Sequence, residues 1–114
     1  MRPASSAPGP AVFDTPEKSI AGLFYGPIML LVWDENAWQD YLWWQAQDRR
    51  VLKRTNTLIE DIARNGNEGI GKPEALKHDF AGYWSRRITD EHRLVYKLVD
   101  GQIRIAACRY HYGR

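Results

Sequence analysis

Between Asp48 and Gly66 the apolar side chains recur with a helical period, and this stretch constrains the fold more than any other part of the chain. Val51, Leu52, Thr55, Leu58, Ile59 and Ile62 fall at i, i+1, i+4, i+7, i+8 and i+11, which is the stripe of an amphipathic helix lying on a core. Arg50, Lys53, Arg54, Glu60 and Asp61 are left pointing toward water. Asp48 suits the N-cap, because its side-chain oxygen can accept from amides that have no helical partner, and Asn65-Gly66 supplies the stop. A helix with one apolar face needs a second layer to bury it.

That layer is expected from the C-terminal half. Segments 83–88, 92–99 and 102–110 are rich in β-branched and aromatic residues, and Asp100-Gly101 between the last two is a two-residue hairpin signal. Ahead of the helix, the apolar run 28–33 has the length of a strand and reads as buried on both faces, hence central or well covered. Asp34 is then an N-cap, and Trp38, Tyr41, Leu42 and Gln45 mark a first helix ending near Gln47. Segment 74–82 carries no decisive pattern. The expected architecture is an α+β domain of order β-α-α-β-β-β, an antiparallel sheet with a helical hairpin packed on one face and the other face free for function.

Composition sets the outer limits. A chain of 114 residues that is 44% hydrophobic, with five Trp and six Tyr, can build one core, assigned here to 28–114. Residues 1–27 are rich in Pro, Gly, Ala and Ser and read as a flexible N-terminal extension. No apolar run approaches the ~20 residues of a membrane-spanning helix. The start lacks the pattern of a secretory signal, and Cys108, the single cysteine, allows no internal disulfide. A cytoplasmic protein without a membrane partner is therefore expected. Cys108 itself is expected to act as a small buried hydrophobe. The charge is uneven: residues 28–68 hold five Lys/Arg against seven Asp/Glu, whereas residues 69–114 hold nine against five. Basic residues gathered in one half point to an anionic partner.

Known catalytic patterns are scarce. There is no G-x-S-x-G elbow, and one cysteine with three histidines gives no zinc-ligand spacing, so neither a metal nor a cofactor is expected. Gly69-Ile70-Gly71-Lys72 lacks the full phosphate-loop pattern and reads as a loop only. What remains is a polar set in the basic half: Glu74, Lys77, His78, Arg86, Arg87, His92, Arg93, Arg109, His111 and Tyr112. Such a set contains the parts needed for metal-free RNA cleavage. A base takes the proton of a ribose 2′-OH, an acid protonates the leaving 5′-oxygen, and a guanidinium stabilises the charge that builds on the phosphate oxygens.

The segments KPEALKHDFAGYWSRRITDEHRLVY and IAACRYHY resemble the C-terminal part of YoeB toxins, a branch of the RelE/ParE toxin superfamily, and WDENAWQDYLWWQAQDRRVLKRTNTLIEDI resembles their strand and helical hairpin. The likeness runs over roughly residues 28–112. It implies a RelE/ParE-like fold, ribosome-dependent mRNA cleavage in the decoding site, and neutralisation by a YefM-type antitoxin. By position in these segments, Glu74 is the implied general base, Arg93 the stabiliser of the transition state and His111 the general acid. Tyr112 would orient substrate, and Lys77 and Arg87, with Arg109, would bind RNA. The implied partners are mRNA, the 70S ribosome and the antitoxin. Gly113 and Arg114 follow the His-Tyr pair at which the family pattern normally ends.

Plainer readings stand beside these. Taken alone, Glu74 is a solvated loop carboxylate and His111 an exposed terminal histidine. His78 and His92 carry no assigned role, and Arg86 is undecided because adjacent strand residues face opposite ways. Trp38, Trp43 and Trp44 are assigned to packing or to contacts of a homodimer. The alternative function is that of a ParE-like toxin that poisons DNA gyrase by binding without catalysis, against which the acid-base set argues. A simple RNA-binding module would need only the basic patch.

Overall fold

The computed structural model describes residues 29–110. The expected N-terminal extension, Ile28, and the closing residues 111–114, with the implied His111 and Tyr112, lie outside the described residues. Strand β1 (Leu30–Trp33) leads into helix α1 (Glu35–Gln47), and α2 (Arg49–Asn65) follows after a single intervening residue. That residue is Asp48, whose carboxylate accepts from the amides of Arg50 and Val51 at 3.0 and 3.3 Å, so it caps α2 while ending α1. Asp34 occupies the N-cap position of α1 but makes no side-chain capping bond.

The C-terminal half forms β2 (Glu74–Ala75), a 3-10 turn (His78–Phe80), β3 (Trp84–Arg87), β4 (Arg93–Val99) and β5 (Gln102–Ala107). All five strands join one sheet in the order β1-β5-β4-β3-β2. Strands β3, β4 and β5 form the expected antiparallel meander, turned at Asp100-Gly101, where Gly101 adopts φ +69°. Two features go beyond the expected order. β1 pairs parallel to β5, which makes the sheet mixed, and the undecided segment contributes the two-residue strand β2 on β3.

The apolar run that forms β1 was expected to be buried on both faces, central or well covered, yet β1 is an edge strand with Leu30 61% and Leu31 43% exposed. An apolar run signals that burial is favourable, but does not say what covers it. Asp61, expected in water, is buried. A hydrophobic period cannot reveal that a charge has found its partner elsewhere in the chain.

The core lies between the helical hairpin and one face of the sheet. Ala37 and Trp44 of α1, Leu58 and Ile62 of α2, Leu94 and Tyr96 of β4, and Ile103 and Ile105 of β5 make one cluster, with Cys108 fully buried at its edge as expected. Strand alternation then sends Ser85, Arg87, Arg93, Val95 and Lys97 to the opposite face.

Candidate functional site

The face opposite the helices is built on cross-strand rows. Glu74, Ser85, Val95 and Ala107 are successive partners across β2, β3, β4 and β5, and Arg87 faces Arg93 one row further along. Ser85 and Val95 are buried and form a floor, while Glu74 and Arg87 are exposed at its rim. With strands ~4.8 Å apart and same-face residues ~6.8 Å apart along a strand, the Cα atoms of Glu74 and Arg93 are roughly 12 Å apart, within converging reach of their side chains.

Arg93 and Arg87 are like charges directly opposite one another, an arrangement that weakens a sheet. Arg93 is held in it by the β3–β4 turn. Its Nη1 donates to the carbonyls of Thr89, Asp90 and His92 at 2.8, 3.0 and 3.2 Å, leaving Nε and Nη2 without a partner among the described residues. The side chains of Glu74, Arg87 and Lys77 likewise have no hydrogen bond or ion pair among the described residues. A fixed guanidinium with open donors and a second arginine beside it are suited to hold an anion, and the carboxylate on the same face is a group able to accept a proton.

Two further cations belong to this face. Lys97 and Arg104 are cross-strand partners, and Lys97 lies one row beyond Val95 with its ammonium 5.3 Å from the Tyr83 ring centre. Neither belongs to the polar set expected from the sequence. The alternation Arg93, Val95, Lys97, together with the register that follows from a hairpin turn at Asp100-Gly101, was the available signal.

Other expected site residues fall elsewhere. Arg109 stacks on Trp43 of α1, its guanidinium carbon 3.6 Å from the ring centre, and Nη2 donates to the Tyr110 hydroxyl at 3.1 Å. It belongs to the helical side of the molecule, and the Arg87–Arg93 pair is assembled without it. Trp44 packs in the core, in keeping with its assignment, whereas Trp38 and Trp43 remain partly exposed. Lys77 stands at the start of the 3-10 turn, three residues beyond Glu74.

Arg86, left undecided, proves to be structural. Its Nε donates to the Tyr96 hydroxyl, Nη1 to the Asp61 carboxylate and the Ile70 carbonyl, and Nη2 to the carbonyls of Gly66 and Glu68, so all five N–H donors are satisfied. The glycine-rich loop is therefore a cradle for an internal guanidinium. Burial pushes the Asp61 carboxyl up, but hydrogen bonds from Arg86, the Ile70 amide and Asn65, with the Arg86 charge, outweigh it and hold the carboxyl below its ordinary value. Burial also raises the Tyr96 phenol, opposed by Arg86.

The C-terminal segment beyond β5 is tied down by side chains. Trp44 Nε1 donates to the Cys108 carbonyl at 2.8 Å, and the Cys108 amide donates to Asp40 at 3.1 Å. The Arg93 amide donates to the Tyr110 carbonyl at 2.9 Å. Tyr110, the last described residue, is thus held beside Arg93, and the next residue in the chain is His111.

Residues 33–112 match the model of the YoeB-like toxins of bacterial type II toxin-antitoxin systems. Toxin YoeB of Escherichia coli K12 is 58% identical over 84 residues, which cover 74% of this chain and 100% of that protein. Among solved structures, a YoeB/ParE toxin from Agrobacterium tumefaciens is 48% identical with a TM-score of 0.71, covering 74% of this chain and 100% of that one. A YoeB-YefM complex and a YoeB dimer from Staphylococcus aureus are 47% and 48% identical, each with a TM-score of 0.70 and covering 74% of this chain and 98% of that one.

Proposed function

The chain belongs to the YoeB-like toxins of bacterial type II toxin-antitoxin systems, and from that premise we propose that it is a ribosome-dependent endoribonuclease that cuts mRNA in the decoding site and so stops translation in the cytoplasm. The observation that carries this reading is the pairing of Arg93, with Nε and Nη2 open, and Arg87 on the sheet face that also presents the Glu74 carboxylate.

In this mechanism Glu74 takes the proton of the ribose 2′-OH, and the 2′-oxygen attacks the adjacent phosphorus. The bond from phosphorus to the 5′-oxygen breaks as His111 delivers a proton to that oxygen. The products are a 2′,3′-cyclic phosphate and a 5′-OH. Arg93, its Nη1 anchored on three turn carbonyls, directs its remaining donors at the non-bridging oxygens, where charge builds. Lys77 and Arg87 hold the flanking phosphates, Arg109 adds positive charge from the helical side, and Tyr112 orients the substrate. No metal ion or cofactor enters the reaction as written.

A YefM-type antitoxin is the proposed partner, supported by likeness to the toxin of the Staphylococcus aureus YoeB-YefM complex. An acidic segment that orders on binding would neutralise Arg87, Arg93, Lys97 and Arg104 on the sheet face. A homodimer is also proposed. The exposed edge strand β1 and the adjoining rings of Trp33, Trp38 and Tyr41, whose centres lie 4.8 to 5.7 Å apart, form an apolar patch suited to a second copy. Likeness to the Staphylococcus aureus YoeB dimer supports this.

The test is primer extension on a defined mRNA loaded in ribosomes. A new stop within the decoding-site codon that needs both ribosomes and Glu74 is the expected result. Absence of that stop, together with loss of supercoiling by DNA gyrase, would replace this reading with the gyrase-poison alternative.

A further inference from the structure

We infer that His92 is a positioning residue, joining the turn that holds Arg93 to the segment that carries His111. The inference rests on the ribonuclease reading above and adds a residue to which neither the motif nor the resemblance gives a role.

His92 makes two sets of contacts at once. Its backbone carbonyl is one of the three that accept from Arg93 Nη1, at 3.2 Å, and it also accepts from the amides of Ile88 and Thr89 at 3.0 and 3.2 Å. On the other side, its Nδ1 accepts from the Tyr110 amide at 2.7 Å. An accepting Nδ1 places the proton of the neutral ring on Nε2, which lies 3.7 Å from Glu91. The ring is held against Trp44, with centres 4.7 Å apart and planes at 80°, and against Tyr110 at 5.3 Å.

Tyr110 needs such a partner. Its φ of +60° lies in the left-handed region, which is strained for a bulky side chain and persists only where neighbouring contacts impose it. Here the contacts are the His92 acceptor on its amide, the Arg93 amide on its carbonyl and the Arg109 guanidinium over its ring at 4.8 Å. The residue after Tyr110 is the proposed general acid. Fixing the Tyr110 peptide relative to Arg93 therefore fixes where the acid-bearing segment begins relative to the group that stabilises the transition state. Proton transfer tolerates little misplacement, so losing this anchor should appear in the rate of the bound complex.

Two substitutions separate the acceptor from the ring. His92→Phe keeps an aromatic ring against Trp44 but offers no acceptor, whereas His92→Asn loses the ring and keeps an oxygen the same number of bonds from the backbone as Nδ1. Two quantities are read on the full chain: amide hydrogen exchange at Tyr110, and the cleavage rate at saturating programmed ribosomes. In His92→Phe the expected result is exchange at Tyr110 faster by roughly tenfold or more and a rate roughly 10- to 100-fold lower, with the half-saturating ribosome concentration unchanged. His92→Asn should restore much of both.

Full rate in His92→Phe, or equal losses in Phe and Asn, would overturn the proposal. So would an unprotected Tyr110 amide in the wild-type chain, a measurement that needs no variant to fold. If the wild-type chain leaves ribosome-bound mRNA uncut, the ribonuclease reading itself fails, and that outcome is distinct from a wild type that cuts and a Phe variant that cuts equally well.

Discussion

Asp61 and Arg86, 25 residues apart in the chain, meet as a buried ion pair at the junction of α2, β3 and the glycine-rich loop. The Arg86 side chain has no exposed surface, and its remaining donors are taken up by Tyr96 and by the carbonyls of Gly66, Glu68 and Ile70. The pair closes one end of the core beside β3, whose next residue is Arg87.

Removing the guanidinium leaves the buried Asp61 carboxylate without its charge partner and takes the donors away from three loop carbonyls. Arg86→Leu is therefore expected to lower unfolding free energy by about 3–5 kcal/mol, as for the loss of one partner of a buried pair. Urea unfolding of the full chain measures it, and a loss below about 1 kcal/mol would mean that the cradle is not a fixed part of the fold.

Acid should act through the same pair. The Asp61 carboxyl is held below its ordinary value of 3.8, so the folded state binds this proton less readily than the unfolded chain does. Its contribution is fully present above about pH 4 and is lost as pH falls through the lower folded value. Comparing unfolding midpoints at pH 6 and pH 3, Asp61→Asn should show a smaller drop than the wild type, because the variant has no proton to take up at this position.

Gly69 and Gly101 both have positive φ, but their surroundings differ. A Cβ at Gly69, where φ is +121°, would stand 2.0 Å from an Asp61 carboxylate oxygen, whereas one at Gly101 meets nothing within 4 Å. Gly101→Ala should cost about 1 kcal/mol for the backbone alone. Gly69→Ala should cost clearly more, because it also pushes Asp61 off Arg86. Equal thermal shifts in the two variants would contradict this account.

The helical hairpin was legible because a 3.6-residue period and a cap at Asp48 are local signals. The meander was legible because Asp100-Gly101 fixes a turn between alternating strands. Strand β2 was not, since two residues carry no period and Glu74 and Ala75 are extended only because Trp84 and Ser85 pair with them. The burial of Asp61 was hidden for a similar reason: a charge is buried only when its partner is present, and nothing near Asp61 in sequence names Arg86. On the sheet face, Arg87 and Arg93 were singled out, but Lys97 and Arg104 needed the register. His92 drew no assignment because its contact to Tyr110 spans 18 residues.

The exposed rings offer a test of assembly. Trp38 is 42% exposed and stacks on Tyr41, and Leu42 follows it one helical turn later. If this patch seats a second copy, Trp38→Glu should shift the protein from dimer to monomer in sedimentation, with helix content unchanged. An unaltered sedimentation coefficient would move the interface elsewhere.

Activity and stability should separate at Glu74 and less cleanly at Arg93. The Glu74 side chain is exposed and has no partner among the described residues, so Glu74→Gln should leave stability within about 0.5 kcal/mol of the wild type. Removing a general base nevertheless lowers a rate by roughly 10²- to 10⁴-fold. Arg93→Ala loses three bonds to turn carbonyls as well as its open donors, so it should cost about 1–2 kcal/mol of stability and roughly 10²- to 10³-fold in rate. Unfolding midpoints and ribosome-dependent cleavage measured on the same preparations decide the matter. If Glu74→Gln destabilised the fold as much as it slowed cleavage, the carboxylate would be a structural group and the base would have to be sought elsewhere on this face.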